Sequence, residues 1–266
     1  MMTEPGRNIS HLSASSINNY LECGLQYRFS KLDKLPPEMT PGNLIYGATI
    51  HKVVAEFYQT RKEGGNLPLP EMLEKFEQYW REAAEDQPDI LYSEGKDFQT
   101  LLNEGLELLK VFYTHLPDDN FQVLAVEQPF QLTPENFHIP IIGIFDLVEE
   151  DDSGTIIVSD LKTSSRAYSS TEIDKNLQLT LYQLAVKHDG YHDREIILRL
   201  DCLIKTKKPR FEQYYTFRTP EDEHRLLKKI GKVCEGITRG VFIPMDTSWR
   251  CPNCVYKSYC DSWFSE

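Results

Sequence analysis

No run of this chain approaches the ~18 consecutive apolar residues of a membrane-spanning helix, so the sequence predicts no span. The opening MMTEPGRNIS lacks both the basic and the apolar region of a secretion signal. That predicts a cytoplasmic protein, in which cysteines stay reduced and disulfides are not expected. Positive charge is also short: 29 Lys and Arg face 41 Asp and Glu, a net charge of -12. Such a balance argues against a generally basic, nucleic-acid-coating surface. It leaves open a local basic groove, because phosphate contacts need only a few well-placed cations. Internal repeats and low-complexity tracts are absent as well. What is present, 40% hydrophobic and 11% aromatic residues in 266, suits a packed α/β domain, whole or with a helical insertion.

The most informative stretch is IIGIFDLVEEDDSGTIIVSDLKT, residues 141–163. Apolar runs at Ile141–Val148 and Thr155–Leu161 flank the polar turn EEDDSG, the pattern of a β-hairpin with both strands largely buried. Asp146 interrupts the first strand; Asp160 and Lys162 end the second and project to one side, because strand side chains alternate. Register could bring Asp146 beside them. Buried charge needs a partner. One reading is a satisfied Asp–Lys ion pair, although two carboxylates and one ammonium leave an acid unmatched. The other is a divalent-metal site for phosphodiester hydrolysis, since Mg²⁺ takes oxygen ligands and Lys162 could orient water or offset phosphate charge.

Upstream, a helix is predicted from Gly47 to about Lys62, with Ile50, Val53, Val54 and Phe57 as its buried stripe. His51 lies on a different line with Ala48, Ala55 and Tyr58, small or flat neighbours that leave room for a ligand. Residues 63–119 read as an accessory helical insertion with a solvated acidic face. FQVLAVEQPFQL reads as the first strand of the sheet, with Glu127 either within reach of the Asp146 cluster or simply paired with a Lys. A helix over 171–188 would set Gln178 and Tyr182 on one face. A strand follows with Ile196, Leu198, Leu200, Cys202 and Ile204 on one side. Lys205, Lys207, Lys208 and Arg210 then form the densest basic cluster, a solvated turn or a phosphate-tracking surface. The last helix, about 220–240, adds Arg225, Lys228, Lys229 and Lys232.

Of six cysteines, Cys251, Cys254 and Cys260 follow C-x2-C-x5-C, and Cys23 is the natural fourth. Cys202 and Cys234 read as core thiols. Four thiolates can hold a structural zinc or a 4Fe–4S cluster, and one of the two C-x2-C knuckles usual in zinc ribbons is missing.

The pattern D-x13-D-L-K at Asp146, Asp160 and Lys162 resembles the PD-(D/E)XK nuclease superfamily. Ser13-x-Ser15-x4-Tyr20-x2-Cys23, the Gly47-x3-His51 helix, Gln178-x3-Tyr182 and the cysteine triplet resemble, in that order, its RecB-like branch with an iron–sulfur cluster. That branch includes the AddB nuclease domain, CRISPR-associated RecB-like exonucleases and exonuclease V. The resemblance implies a restriction-endonuclease-like mixed central sheet flanked by helices. It implies one domain over 1–266, with the insertion at 63–119 and the cysteine segment 241–266 joined to Cys23. It implies Mg²⁺ or Mn²⁺ on His51, Asp146 and Asp160, catalysis by Lys162, and Gln178 and Tyr182 holding the site and the strand. It further implies a 4Fe–4S cluster, in preference to zinc, that ties the chain ends together. The activity implied is exonucleolytic cleavage of single-stranded DNA or DNA ends in repair, recombination or CRISPR adaptation, beside a helicase or CRISPR adaptation proteins. A DNA-end-binding scaffold with little activity is the alternative. Two departures stand out: Asp160 occupies a position where many members have Glu, and no helicase motif is present.

Overall fold

The computed structural model of the protein describes residues 9–85, 89–117, 119, 121–135 and 137–265. Residues 1–8, read above for a leader, and residues 86–88, within the predicted insertion, lie outside them. The chain forms two compact units: Met1–Met39, Phe130–Gly143 and Thr219–Glu266 in one, Thr40–Pro129 and Ile144–Arg218 in the other.

In chain order the helices are α1 (Ala14–Glu22), α2 (Gly24–Tyr27), α3 (Gly42–Lys62), α4 (Leu69–Glu85) and α5 (Phe98–His115). They continue with α6 (Ser170–Asp174), α7 (Leu177–Val186), α8 (Pro220–Thr238) and α9 (Lys257–Ser265). Two short strands, β1 (Thr40–Pro41) and β2 (Ile90–Leu91), pair in parallel. The main strands are β3 (Gln122–Leu132), β4 (Ile141–Glu150), β5 (Ile156–Ser164), β6 (Ile196–Ile204) and β7 (Arg210–Thr216). They form one five-stranded sheet in sequence order, with β4–β5 and β6–β7 antiparallel and β5–β6 parallel. This is the mixed, helix-flanked sheet that the sequence predicts.

A parallel pair needs a crossover, and α6 and α7 supply it. The single helix expected over 171–188 is two. The first ends at Asp174, and Asn176 caps the second, its side chain accepting the Leu179 N–H at 3.0 Å. The new start aligns Gln178 and Tyr182 one turn apart. β5 and β6 are buried on both faces, as central strands of a covered sheet must be.

Helix α3 starts at Gly42, five residues earlier than expected, directly after Pro41, which cannot continue a helix backwards. Its apolar stripe of Tyr46, Ile50, Val53 and Phe57 packs with Phe76, Trp80 and Phe112 of α4 and α5 and with Leu161 and Leu203 of the sheet. Gly105 is required in that packing, because a Cβ there would lie 2.0 Å from the Phe76 ring. The insertion thus supplies much of this unit's core and covers one face of α3.

In the other unit, Ser13 caps α1 and Thr219 caps α8, each with a reciprocal bond from the third helical residue. Leu25, Phe29 and Tyr256 form a small core packed against Cys23, Cys254 and Cys260. The Glu38 N–H donates to Val255 O at 2.9 Å, joining N-terminal and C-terminal segments.

Candidate active site

The β4–β5 ladder runs from Glu150 opposite Ile156 to Leu147 opposite Ser159, and Asp146 and Asp160 come next on the two strands. There the Asp146 side chain does a strand carbonyl's job, its Oδ2 accepting the Leu161 N–H at 2.8 Å. The hairpin therefore forks where its two acids stand, and its register brings Asp146 to the Asp160–Lys162 pair.

From α3, His51 Nδ1 lies 3.6 Å from Asp146 Oδ2. From β3, Glu127 completes a group in which one ligand atom each of His51, Glu127 and Asp146 lie within 4.8 Å of one another. Glu127 is a non-glycine residue with φ of +46°, in the left-handed region. A strand residue held there costs on the order of 1 kcal/mol or more, and such strain collects at functional sites. The sequence leaves Glu127 either near this cluster or paired with a Lys; the geometry sets it with His51 and Asp146. Asp160, expected as a metal ligand, has Lys162 Nζ at 2.8 Å from Oδ2 and 2.9 Å from Oδ1.

The electrostatics are those of a site short of positive charge. Burial pushes Asp160 up to about 6 despite Lys162, with Asp146 adding to the rise. Burial likewise raises Asp146, and burial together with the Asp146 charge pushes Glu127 up to about 7, although its side chain is exposed. Lys162 rises as well: burial works against it, but Asp160 and then Asp146 outweigh that and keep the ammonium charged. Burial and then the Lys162 charge hold His51 below its ordinary value, so its imidazole is neutral and able to donate a lone pair. Asp160 is fully buried, and Lys162 is the cation in contact with both of its oxygens.

Helix α7 braces both arms. Lys162 Nζ donates to Gln178 Oε1 at 3.3 Å, and Gln178 Nε2 donates to the Tyr182 hydroxyl at 2.9 Å. That hydroxyl lies 2.7 Å from Ile144 O and 3.3 Å from Asp146 Oδ1. The predicted pair thus spans from Lys162 to Asp146.

The opposite sheet face carries a charge cluster that sequence reasoning missed. Arg199 reaches Glu149 at 2.8 Å and Asp201 at 2.9 Å, and no member is more than 4% exposed. Gln213 donates to Asp201 at 3.0 Å. The signal was available: Arg199 and Asp201 alternate with the apolar residues read in β6. Among the predicted DNA contacts, Lys205 donates to Asn43 at 3.0 Å and Arg210 pairs with Glu212 at 3.0 Å, whereas Lys207 and Lys208 are exposed.

Cys23, Cys251, Cys254 and Cys260 line one cavity of about 290 Å³. All are free thiols and partly exposed. Cys202 is fully buried, and burial pushes its thiol up to about 12, the behaviour of the expected core thiol; Cys234 is half-buried in α8.

Residues 11–261 match the family model of the PD-(D/E)XK nuclease superfamily. No curated protein matches. Among solved structures, the chain is similar in fold to a provisionally assigned exonuclease from Eubacterium rectale. The TM-score is 0.56 at 11% identity, over 92% of this chain and 88% of that one. It also aligns with SSO0001, with a TM-score of 0.44 at 13% identity over 96% and 87% of the two chains.

Proposed function

The chain belongs to the PD-(D/E)XK nuclease superfamily and is a metal-dependent nuclease, and on that premise we propose that it is a RecB-like exonuclease of single-stranded DNA or DNA ends. The carrying observation is that His51, Glu127 and Asp146, from three separate elements, bring ligand atoms within 4.8 Å of one another beside the buried Asp160–Lys162 pair. The donor set of one neutral imidazole and carboxylate oxygens suits Mg²⁺ or Mn²⁺. When bound, such an ion supplies a nucleophile at neutral pH and polarises the phosphoryl oxygen. His51, Glu127 and Asp146 would hold it, with Asp160 beside them. Lys162, charged and oriented by Asp160 and Gln178, offsets negative charge developing on the phosphate. Tyr182 and Gln178 keep the arms in register, and Lys207 and Lys208 are the exposed cations able to track the strand. By the same resemblance the protein would work in repair, recombination or CRISPR adaptation beside a helicase or adaptation proteins.

The test is an assay with end-labelled single and double strands, with Mg²⁺, Mn²⁺ or chelator. Progressive loss from the ends that needs the metal is expected. Defined internal cuts on a plasmid would contradict exonuclease action, and tight end binding without cleavage would favour a scaffold.

We further propose that Cys23, Cys251, Cys254 and Cys260 hold a structural 4Fe–4S cluster in a reducing, cytoplasmic setting. The four thiols line one cavity, and only one C-x2-C knuckle is present where zinc ribbons usually supply two. Protein purified without oxygen should be brown and contain iron and sulfide. Any one Cys→Ala change among the four should lose the colour, and Cys202→Ala should keep it. Colourless protein with one equivalent of zinc would refute the cluster.

A further inference from the structure

A groove of about 760 Å³ runs along α3 and ends at the metal-binding group, with His51 and Glu127 in its wall. Leu44, Ala48, His51 and Ala55 follow one another at helical spacing, on the face of α3 turned away from Tyr46, Ile50, Val53 and Phe57. Gly47 and Val126 complete an apolar floor whose side chains are all small except for Leu44, which is 67% exposed. A volume within the ~300–1,000 Å³ range of small-molecule sites accepts a nucleotide or two, not a stacked duplex.

The polar residues on the rim are already engaged within the protein. Asn43 donates to Ser93 at 3.0 Å and accepts from Lys205 at 3.0 Å. Lys52 sits 3.4 Å from the centre of the Tyr79 ring. Glu56 accepts from Tyr79 at 2.6 Å and pairs with Lys75 at 3.1 Å, and Gln59 donates to Glu63 at 2.6 Å. A base entering this groove meets an apolar surface, with Asn43 and Glu56 on its rim already paired within the protein.

We propose that the α3 groove is a subsite for an unpaired nucleobase next to the scissile phosphate, and that it takes the base by apolar contact without reading its identity. The inference rests on the nuclease reading, and it supplies a reason for a single-strand substrate. In a duplex the base faces are already stacked and cannot lie on Leu44 and Ala48. Apolar or stacking contact is tolerant of sequence because every base has a flat face. Discrimination would therefore be between unpaired and paired strands, not among the four bases.

The experiment measures binding of short fluorescent single strands in Ca²⁺, with the intact strand compared with strands carrying one abasic position scanned along it. Cleavage of the same strands in Mg²⁺ or Mn²⁺ is followed separately. Wild-type protein should bind about tenfold more weakly when the abasic position occupies the groove. Exchanging the base there among A, C, G and T should change affinity less than about twofold. Ala48→Phe, which fills the floor from an exposed helix position, and Leu44→Ala, which removes its wall, should each abolish the intact-versus-abasic difference. Wild-type protein that binds intact and abasic strands equally, or variants that retain the full difference, would overturn the subsite. Cleavage without that discrimination would leave the nuclease reading standing and remove the subsite. Discrimination without metal-dependent cleavage would do the reverse.

Discussion

Two clusters of charge share the strands β4, β5 and β6. Asp160 and Lys162 point to one face and Glu149, Arg199 and Asp201 to the other, while Asp146, at the fork of the hairpin, lines one pocket with His51, Ser159 and Asp201. The register requires the separation, because Ser159 pairs with Arg199 and Leu161 with Asp201, while Asp160 alternates between them. Each cluster has two carboxylates and one cation. In the second, a guanidinium fork reaches both acids and the group is closed to solvent, with Arg199 only 1% exposed. In the first, Lys162 is committed to Asp160 and Gln178, Asp146 turns to His51 and Glu127, and a groove opens onto the set. Charge counting alone cannot tell a site from a structural network. Access and the gathering of ligand atoms from separate elements can.

The largest effect expected on this contrast is catalytic. Asp160→Asn and Lys162→Ala should each lower metal-dependent cleavage by about 10²–10³-fold or more while circular dichroism stays that of the wild type. Cleavage by either purified variant at the wild-type rate would remove the distinction from the first cluster.

Arg199→Met should behave in the opposite way. Removing the guanidinium leaves two buried carboxylates uncompensated and should cost about 3–5 kcal/mol in denaturant unfolding, with activity per folded molecule near wild type. A stable but inactive Arg199→Met protein would mean the sealed cluster takes part in the chemistry.

A smaller effect is expected with pH. Burial pushes Glu149 up to about 7 from its ordinary 4.5, against the pull of Arg199. The folded protein therefore holds this proton more tightly than the unfolded chain does. Stability should fall as pH rises through the window from about 4.5 to 7 and level off above it, by up to about 3 kcal/mol from this group. Urea unfolding of Glu149→Gln at pH 5, 6, 7 and 8 should show a shallower slope, keeping only the share of Asp160 and Glu127, which burial raises likewise. An unchanged slope would assign the pH dependence to other groups.

Much of this contrast was legible in the chain. The hairpin, the same-side placement of Asp160 and Lys162, the small-residue line around His51 and the Gln178–Tyr182 pair all follow from local periodicity, which side-chain spacing alone determines. Three features did not follow. Glu127 joins His51 and Asp146 through a left-handed backbone turn that no residue type there announces. The split between α6 and α7 depends on Asn176 acting as a cap in the middle of a helix-forming stretch. The Arg199 cluster needs the register of three strands, although its charges stand in plain view between the apolar residues of β6. Local pattern shows which side chains share a face; only strand pairing shows which faces meet.

The account turns on where a divalent ion binds, and a calorimetric titration of Mn²⁺ into wild-type, Glu127→Gln and Glu149→Gln protein reads that directly. Wild-type and Glu149→Gln protein should bind Mn²⁺ with the same affinity, while Glu127→Gln should bind about tenfold or more weakly. Unaltered binding to Glu127→Gln, or binding lost in Glu149→Gln, would contradict it.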